Sequence, residues 1–298
     1  MYRLTVFLTV LVLVTAGCTS ASDAGTADAA ILTSTTFLAD ITRNIAGGRV
    51  SVESLLPAGA DPHSYQPTPK DAARIADSKL IIVNGAGYEH FMEPLLENAG
   101  GEGEIIEASA GIDPGADAEG GGDGVDPHMW LDPNLVISYV ENIRDALVNY
   151  DPDGTTAYRS NADAYINELR DLDAWIVRQV SQVPLERRLL VTNHEALGYF
   201  ARRYGFTVTG TVVESFSSGA SPSAGQMAGL IEQIETSGAP AIFLDASDNE
   251  TLARQIAGET GVKVITDLHL ESLTEGAPAG TYIDMMKQNV TMIVEALK

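Results

Sequence analysis

The sequence predicts an α/β protein of two lobes, each with a parallel-type sheet flanked by helices, joined by one long connecting helix. Three observations carry this expectation. Strand-like and helix-like patterns alternate from about residue 30 to the end, the order that builds parallel sheets from strand–helix–strand units. Several strand-like runs, such as residues 80–84 and 241–245, are short and aliphatic, as expected of strands buried on both faces. Residues 155–183 contain neither proline nor glycine, and Ala157, Ala162, Ala164, Tyr165, Leu169, Leu172 and Trp175 follow a helical period. At ~1.5 Å per residue such a helix spans about 40 Å, enough to run the length of a two-lobed protein.

The chain starts with a segment that does not belong to the fold. Arg3 supplies a positive charge, and the apolar stretch after it is shorter than the ~20 residues a membrane-spanning helix needs. It ends in Thr15-Ala16-Gly17-Cys18, small residues before the only cysteine. This pattern resembles a prokaryotic lipoprotein signal, which implies cleavage after Gly17 and acylation of Cys18. Residues 1–18 are therefore expected to be a lipoprotein signal peptide and 19–28, small and polar, a flexible tether. The first lobe is expected over 29–153, the connecting helix over 154–184 and the second lobe over 185–298. One cysteine excludes an internal disulfide, so the fold rests on its core. The net charge of −23 argues against nucleic-acid binding, which needs lysine and arginine to displace phosphate counterions.

In the first half, strands are expected at 30–35, 50–56, 80–84 and 104–108; in the second, at 188–192, 207–213, 241–245 and 263–266. Three helix starts carry a capping side chain followed by proline: Thr68-Pro69, Asp132-Pro133 and Ser221-Pro222. The last two helices are expected to reach about Tyr150 and Thr236. A further helix is expected to begin at Glu195 and run to Arg203. Residues 111–126, rich in glycine and aspartate, are expected to form a surface loop.

Three of the five histidines stand behind turn-forming residues, in Asp61-Pro62-His63, Asp126-Pro127-His128 and Thr192-Asn193-His194. Imidazole is the commonest metal ligand, and loop positions leave its ring nitrogens free to face an ion. The histidines lie roughly sixty-five residues apart, which excludes the close ligand pairs of a zinc finger. His63 and His194 follow strands, where ligand sites of open α/β sheets form. Three imidazoles need a carboxylate to offset the ion's charge and complete four-fold coordination. Asp245, Asp267 and Glu271 occupy comparable positions after strands, and composition does not choose among them. His90, in Tyr88-Glu89-His90-Phe91, is expected to be structural or exposed.

Asp61-Pro62-His63-Ser64-Tyr65-Gln66-Pro67, Asp126-Pro127-His128-Met129-Trp130-Leu131-Asp132-Pro133, His194-Glu195-Ala196-Leu197-Gly198-Tyr199-Phe200 and Gly280-Thr281-Tyr282-Ile283-Asp284-Met285-Met286-Lys287-Gln288-Asn289 together resemble the zinc- and manganese-binding receptors of ABC importers. The likeness runs through the whole mature chain in order. It implies two α/β lobes joined by one long helix, with a metal between them held by His63, His128 and His194. The family's usual fourth ligand is the aspartate of an Asp-Ser-Leu stretch, which here reads Glu271-Ser272-Leu273. Glu271 is therefore the expected fourth ligand, with Asp245, Asp267 and His269 as rivals.

Three imidazoles and one carboxylate favour zinc, with manganese the alternative. Binding should weaken as pH falls through roughly 6.5, because a protonated imidazole cannot ligate. The resemblance implies an exported receptor, a monomer anchored to the membrane by lipid or held in the periplasm, that delivers its ion to a permease and an ATPase. It is not expected to be an enzyme. A metal-dependent hydrolase with an open three-histidine site and a metal-stabilised adhesin lipoprotein are the rival readings. His-Glu-x-x-His fails at Gly198.

Overall fold

The computed structural model describes residues 31–98, 100–115, 119–120, 124–217 and 222–298. The expected signal peptide, the tether and Cys18 lie outside the described residues.

The first sheet contains β1 (Ile31–Thr33), β2 (Val52–Ser54), β3 (Leu80–Val83) and β4 (Glu104–Glu107), all parallel, in the order β2-β1-β3-β4. β3 reads Leu-Ile-Ile-Val and is buried throughout, as its aliphatic run predicts. Helices α1 (Thr36–Ala46), α2 (Pro69–Asp77) and α3 (Glu93–Asn98) alternate with these strands. Within the glycine- and aspartate-rich region, the described residues include one short antiparallel pair, β5 (Glu119–Gly120) and β6 (Gly124–Val125).

Two long helices follow, α4 (Pro133–Tyr150) and α5 (Thr155–Val180). The second sheet holds β7 (Leu189–Thr192), β8 (Thr207–Thr211), β9 (Ala241–Asp245) and β10 (Lys263–Leu268), parallel and ordered β10-β9-β7-β8. Read from the other edge, that order is second, first, third, fourth, as in the first sheet. Both halves therefore wind the same way, and both present the carboxyl ends of their strands to a ligand crevice. Helices α6 (Gly198–Tyr204), α7 (Ala224–Ser237), α8 (Thr251–Thr260) and α9 (Tyr282–Leu297) complete the chain.

The proline-marked starts behave as their chemistry requires. Thr68 accepts from the Asp71 N–H while the Asp71 carboxylate accepts from the Thr68 N–H, a reciprocal cap on α2. Asp132 caps α4 by accepting from the Asn134 N–H, 2.9 Å away. The third start is displaced. Ser223, not Ser221, caps α7, because Gln226 three residues on returns its side-chain oxygen to the Ser223 N–H; Ser221 lies outside the described residues. α6 also begins later than the expected Glu195. The Glu195 N–H is taken by the Ser215 carbonyl across the loop and the Thr192 hydroxyl donates to the His194 carbonyl, so the chain bends and does not enter the helix until Gly198.

α5 buries Tyr158, Ala162, Tyr165, Ile166, Leu169, Leu172, Ile176 and Val180, one apolar stripe at helical spacing. It packs on α1, α4 and α9. One continuous hydrophobic core runs from Ile31 and Phe37 through this stripe to Leu190, Phe243 and Leu297. α9 also crosses back to the first half: the Tyr282 N–H donates to Asp40 and its hydroxyl to the Trp130 carbonyl. The long helix is thus embedded along its length, which limits the sliding of one sheet against the other. Among the described residues, no helix is long and apolar enough to cross a membrane.

Candidate metal centre

The two Asp-Pro-His segments share one kind of hydrogen bond. In each, the aspartate Oδ1 accepts the backbone N–H of the histidine two residues on, at 2.8 Å for His63 and 2.9 Å for His128. Proline removes a donor between them and fixes the turn, so the side-chain acceptor closes it. The turn after β2 thereby projects His63, and the turn before the Met129–Leu131 helical turn projects His128. His194 leaves the carboxyl end of β7, and Glu271 follows β10.

The segment carrying Glu271 is held from three directions. Asn289 of α9 clamps both backbone groups of His269. The Asp245 carboxylate, at the end of β9, accepts from the N–H groups of Leu270 and Glu271. The Trp130 indole donates to the Leu270 carbonyl at 2.8 Å. A backbone fixed at three consecutive residues leaves the Glu271 side chain little freedom to wander, as a preorganised site requires.

The four expected residues meet. His63, His128, His194 and Glu271 each offer one ligand atom, and all four atoms lie within 4.8 Å of one another. Glu271 Oε1 is the common point, 3.2 Å from His128 Nε2, 3.1 Å from His194 Nε2 and 3.8 Å from His63 Nε2. His128, His194 and Glu271 are buried and His63 is nearly so. His63 Nε2 is buried without a hydrogen-bond partner in the protein. A buried imidazole nitrogen aimed at a carboxylate beyond hydrogen-bond reach suits a cation held between them. The donor set, three nitrogens and one carboxylate oxygen, suits a four-coordinate divalent metal ion.

Electrostatics bind the cluster together. Burial alone would lower the His128 pKa, but the Glu271 charge and hydrogen bonds to Asp126 and Glu271 outweigh it and raise it to about 10. Burial would raise Glu271, yet the charge of His128 and the hydrogen bonds from His128 and His194 hold it well below the usual carboxylate range. Without an ion, the pair is an imidazolium and a carboxylate. His128 Nδ1 lies 2.7 Å from Asp126 Oδ1. That contact places an N–H on Nδ1 and leaves Nε2 for an ion, the usual carboxylate–histidine support of a metal ligand. Asp126 in turn sits so close to Gly198 that a Cβ there would meet its Oδ2 at 2.8 Å.

The rivals for the fourth position fall elsewhere. Asp245 is buried but spends its oxygens on Ser247, Leu270 and Glu271, so it positions the segment. Asp267 is exposed, and neither it nor His269 joins the cluster. His90 is exposed and pairs with Glu93 at 2.9 Å. Sequence reasoning missed Tyr88, Asp126 and Trp130, and weighed Asp245 only as a rival ligand. The Tyr88 hydroxyl donates to Glu271 Oε2 at 2.7 Å. A paired glycine motif after β3 (Gly85-Ala86-Gly87-Tyr88) and the aspartate two residues before both His63 and His128 were the available signals. A cleft of about 620 Å³, lined in part by Pro62, His63, Tyr88 and Pro127, meets the cluster at His63.

A family model described as zinc-uptake complex component A, periplasmic, matches residues 31–296. The manganese-binding lipoprotein MntA of Halalkalibacterium halodurans is 37% identical over 293 residues, covering 97% of this chain and 96% of that protein. The manganese ABC transporter substrate-binding lipoprotein scaA of Streptococcus gordonii is 28% identical, covering 93% of this chain and 92% of that protein. In three dimensions the fold is similar to the periplasmic zinc binding protein TroA from Treponema pallidum, with a TM-score of 0.82 at 30% identity, covering 90% of this chain and 98% of that one.

Proposed function

The chain belongs to the periplasmic zinc-uptake complex component A family, and from that premise we propose that it is the exported receptor that captures one zinc ion and delivers it to an ABC importer. That it is a metal-binding substrate-binding protein of such an importer follows from the family and its relatives. The finer assignment rests on one observation: His63, His128, His194 and Glu271 converge to within 4.8 Å with Glu271 Oε1 at their centre. Three nitrogen donors with one carboxylate oxygen favour zinc, whereas manganese prefers sites richer in oxygen. The manganese-binding names of several relatives make manganese the competing cargo.

Glu271 fills the fourth position, and a filled position supports capture over hydrolysis, which needs that place for water. Acylation of Cys18 would tether the receptor to the outer face of the membrane. A separate permease and ATPase would move the ion, because a tethered monomer cannot. Zinc titration of single variants tests the ligand set. His194→Ala is expected to lose roughly 100-fold or more in affinity. His90→Ala is expected to stay within about twofold, since an exposed pair with Glu93 contributes little. Equal losses would mean the ion sits elsewhere.

A further inference from the structure

Between β3 and α3 the backbone takes an unusual path. Gly85 (φ 85°), Ala86 (φ 53°) and Gly87 (φ 76°) are three consecutive left-handed residues. Glycine tolerates this, but Ala86 adopts a conformation that L side chains disfavour, and surrounding contacts must hold it. Those contacts are present. The buried Glu89 carboxylate accepts from the N–H groups of Asn84 (2.6 Å) and Gly85 (3.1 Å) and from the Ser34 hydroxyl (2.8 Å). The Asn84 amide donates to the carbonyl of Pro127, next to His128, and its oxygen accepts from the Tyr139 hydroxyl. The loop is therefore locked to the end of β1 and to the segment that carries one of the histidines.

The product of this locking is the position of Tyr88. Its buried ring packs edge-on to Trp130, with centroids 4.9 Å apart, and its hydroxyl donates to Glu271 Oε2. The two oxygens of Glu271 are thus different. Oε1 faces the three imidazoles, and Oε2 is occupied by a charge-assisted hydrogen bond. Coordination through both oxygens would make Oε2 share its lone pairs between the ion and that buried bond, at the expense of each.

We propose that Tyr88 is a metal-selectivity residue: by occupying Glu271 Oε2 it holds the carboxylate to one-oxygen coordination, which favours four-coordinate zinc over manganese. The proposal rests on the reading of the four-residue cluster as the ion site. Zinc is satisfied by four donors, whereas manganese takes a larger, oxygen-rich shell that a two-oxygen carboxylate would help to complete. Tyr88 touches the ligand, not the ion, so it acts by positioning.

The test is competitive titration of zinc against manganese with the unaltered chain, Tyr88→Phe and Tyr65→Phe. Tyr88→Phe removes one oxygen and keeps the ring against Trp130. Tyr65 donates to Asp71, away from Glu271, and serves as control. The expected result is that Tyr88→Phe narrows the manganese-to-zinc ratio of dissociation constants by about tenfold, while Tyr65→Phe leaves it unchanged. Affinities that change by one common factor for both ions would overturn the proposal. A structure of the unaltered chain loaded with manganese stands beside the variants: Glu271 should bind through one oxygen with Tyr88 on the other, and a two-oxygen Glu271 overturns the proposal. A chain that holds neither ion at these residues overturns the site and the proposal together. Binding of both ions there with an unchanged ratio in Tyr88→Phe overturns the role of Tyr88 alone.

Discussion

Replacing Glu271 with alanine is expected to abolish tight zinc binding and to destabilise the metal-free chain at neutral pH. Glu271 is the only carboxylate in the cluster and the shared partner of all three imidazoles. It is buried, so its partners are shielded from bulk solvent when it is removed. Deleting one partner of a buried, hydrogen-bonded charge pair costs about 3–5 kcal/mol. A comparable loss in the bound state corresponds to roughly a 10²- to 10⁴-fold fall in zinc affinity. Two further groups lose their partner in the variant: the Tyr88 hydroxyl, and His128, whose raised pKa depends on the Glu271 charge. Glu271→Gln separates shape from charge. It keeps the volume and an oxygen, so the fold should survive better than in the alanine variant while zinc affinity still falls steeply. Thermal unfolding with and without zinc, beside zinc titration, measures both effects. An alanine variant that binds zinc normally would remove Glu271 from the ligand set.

The second large effect is on pH, and it runs in opposite directions for the empty and loaded chain. In the empty chain, His128 is raised to about 10 from an ordinary value near 6.5. Its contribution to stability is fully present below about 6.5 and is lost as pH rises through about 10, on the order of 4 kcal/mol across that window. Glu271 is depressed, so its contribution is present above the ordinary carboxylate value and is lost only as pH falls through its lowered one. The empty chain therefore weakens towards alkaline pH. Zinc reverses the sign, because His128 Nε2 must shed its proton before it can ligate. Zinc affinity is expected to climb about tenfold per pH unit between about 7 and 10, with about one proton released per ion bound at pH 7. This places the window well above the 6.5 that an unperturbed imidazole implies; burial opposite Glu271 is the physical reason. Calorimetry in two buffers of different ionisation heat counts the proton directly. A binding heat independent of buffer would contradict the pairing of His128 with Glu271.

Much of this was legible in the sequence because the signals were local. β3 and β9 are aliphatic runs bounded by turns, and the structure buries them completely. Thr68-Pro69 and Asp132-Pro133 carry the whole instruction for a helix start within four residues. The Asp-Pro-His turns are likewise self-contained, since each aspartate closes its own turn. What failed to show was set by contacts distant in the chain. α6 starts late because Ser215, twenty residues on, takes the Glu195 N–H. Asp245 is consumed by a segment that follows it by some twenty-five residues, so it could not be told from a ligand by position. Tyr88 meets Glu271 across 183 residues of chain, and no local pattern reports such a meeting. The family likeness supplied Glu271, and the clamp by Asn289, Asp245 and Trp130 explains why its longer side chain still reaches the cluster.

Anomalous diffraction at the zinc edge, from crystals of the chain loaded with one equivalent of zinc, tests the central claim most directly. One strong peak should appear, bonded to His63, His128 and His194 and to a single oxygen of Glu271, at about 2.0–2.2 Å. A peak elsewhere, or one that leaves Glu271 unbound with water in the fourth position, would contradict the account.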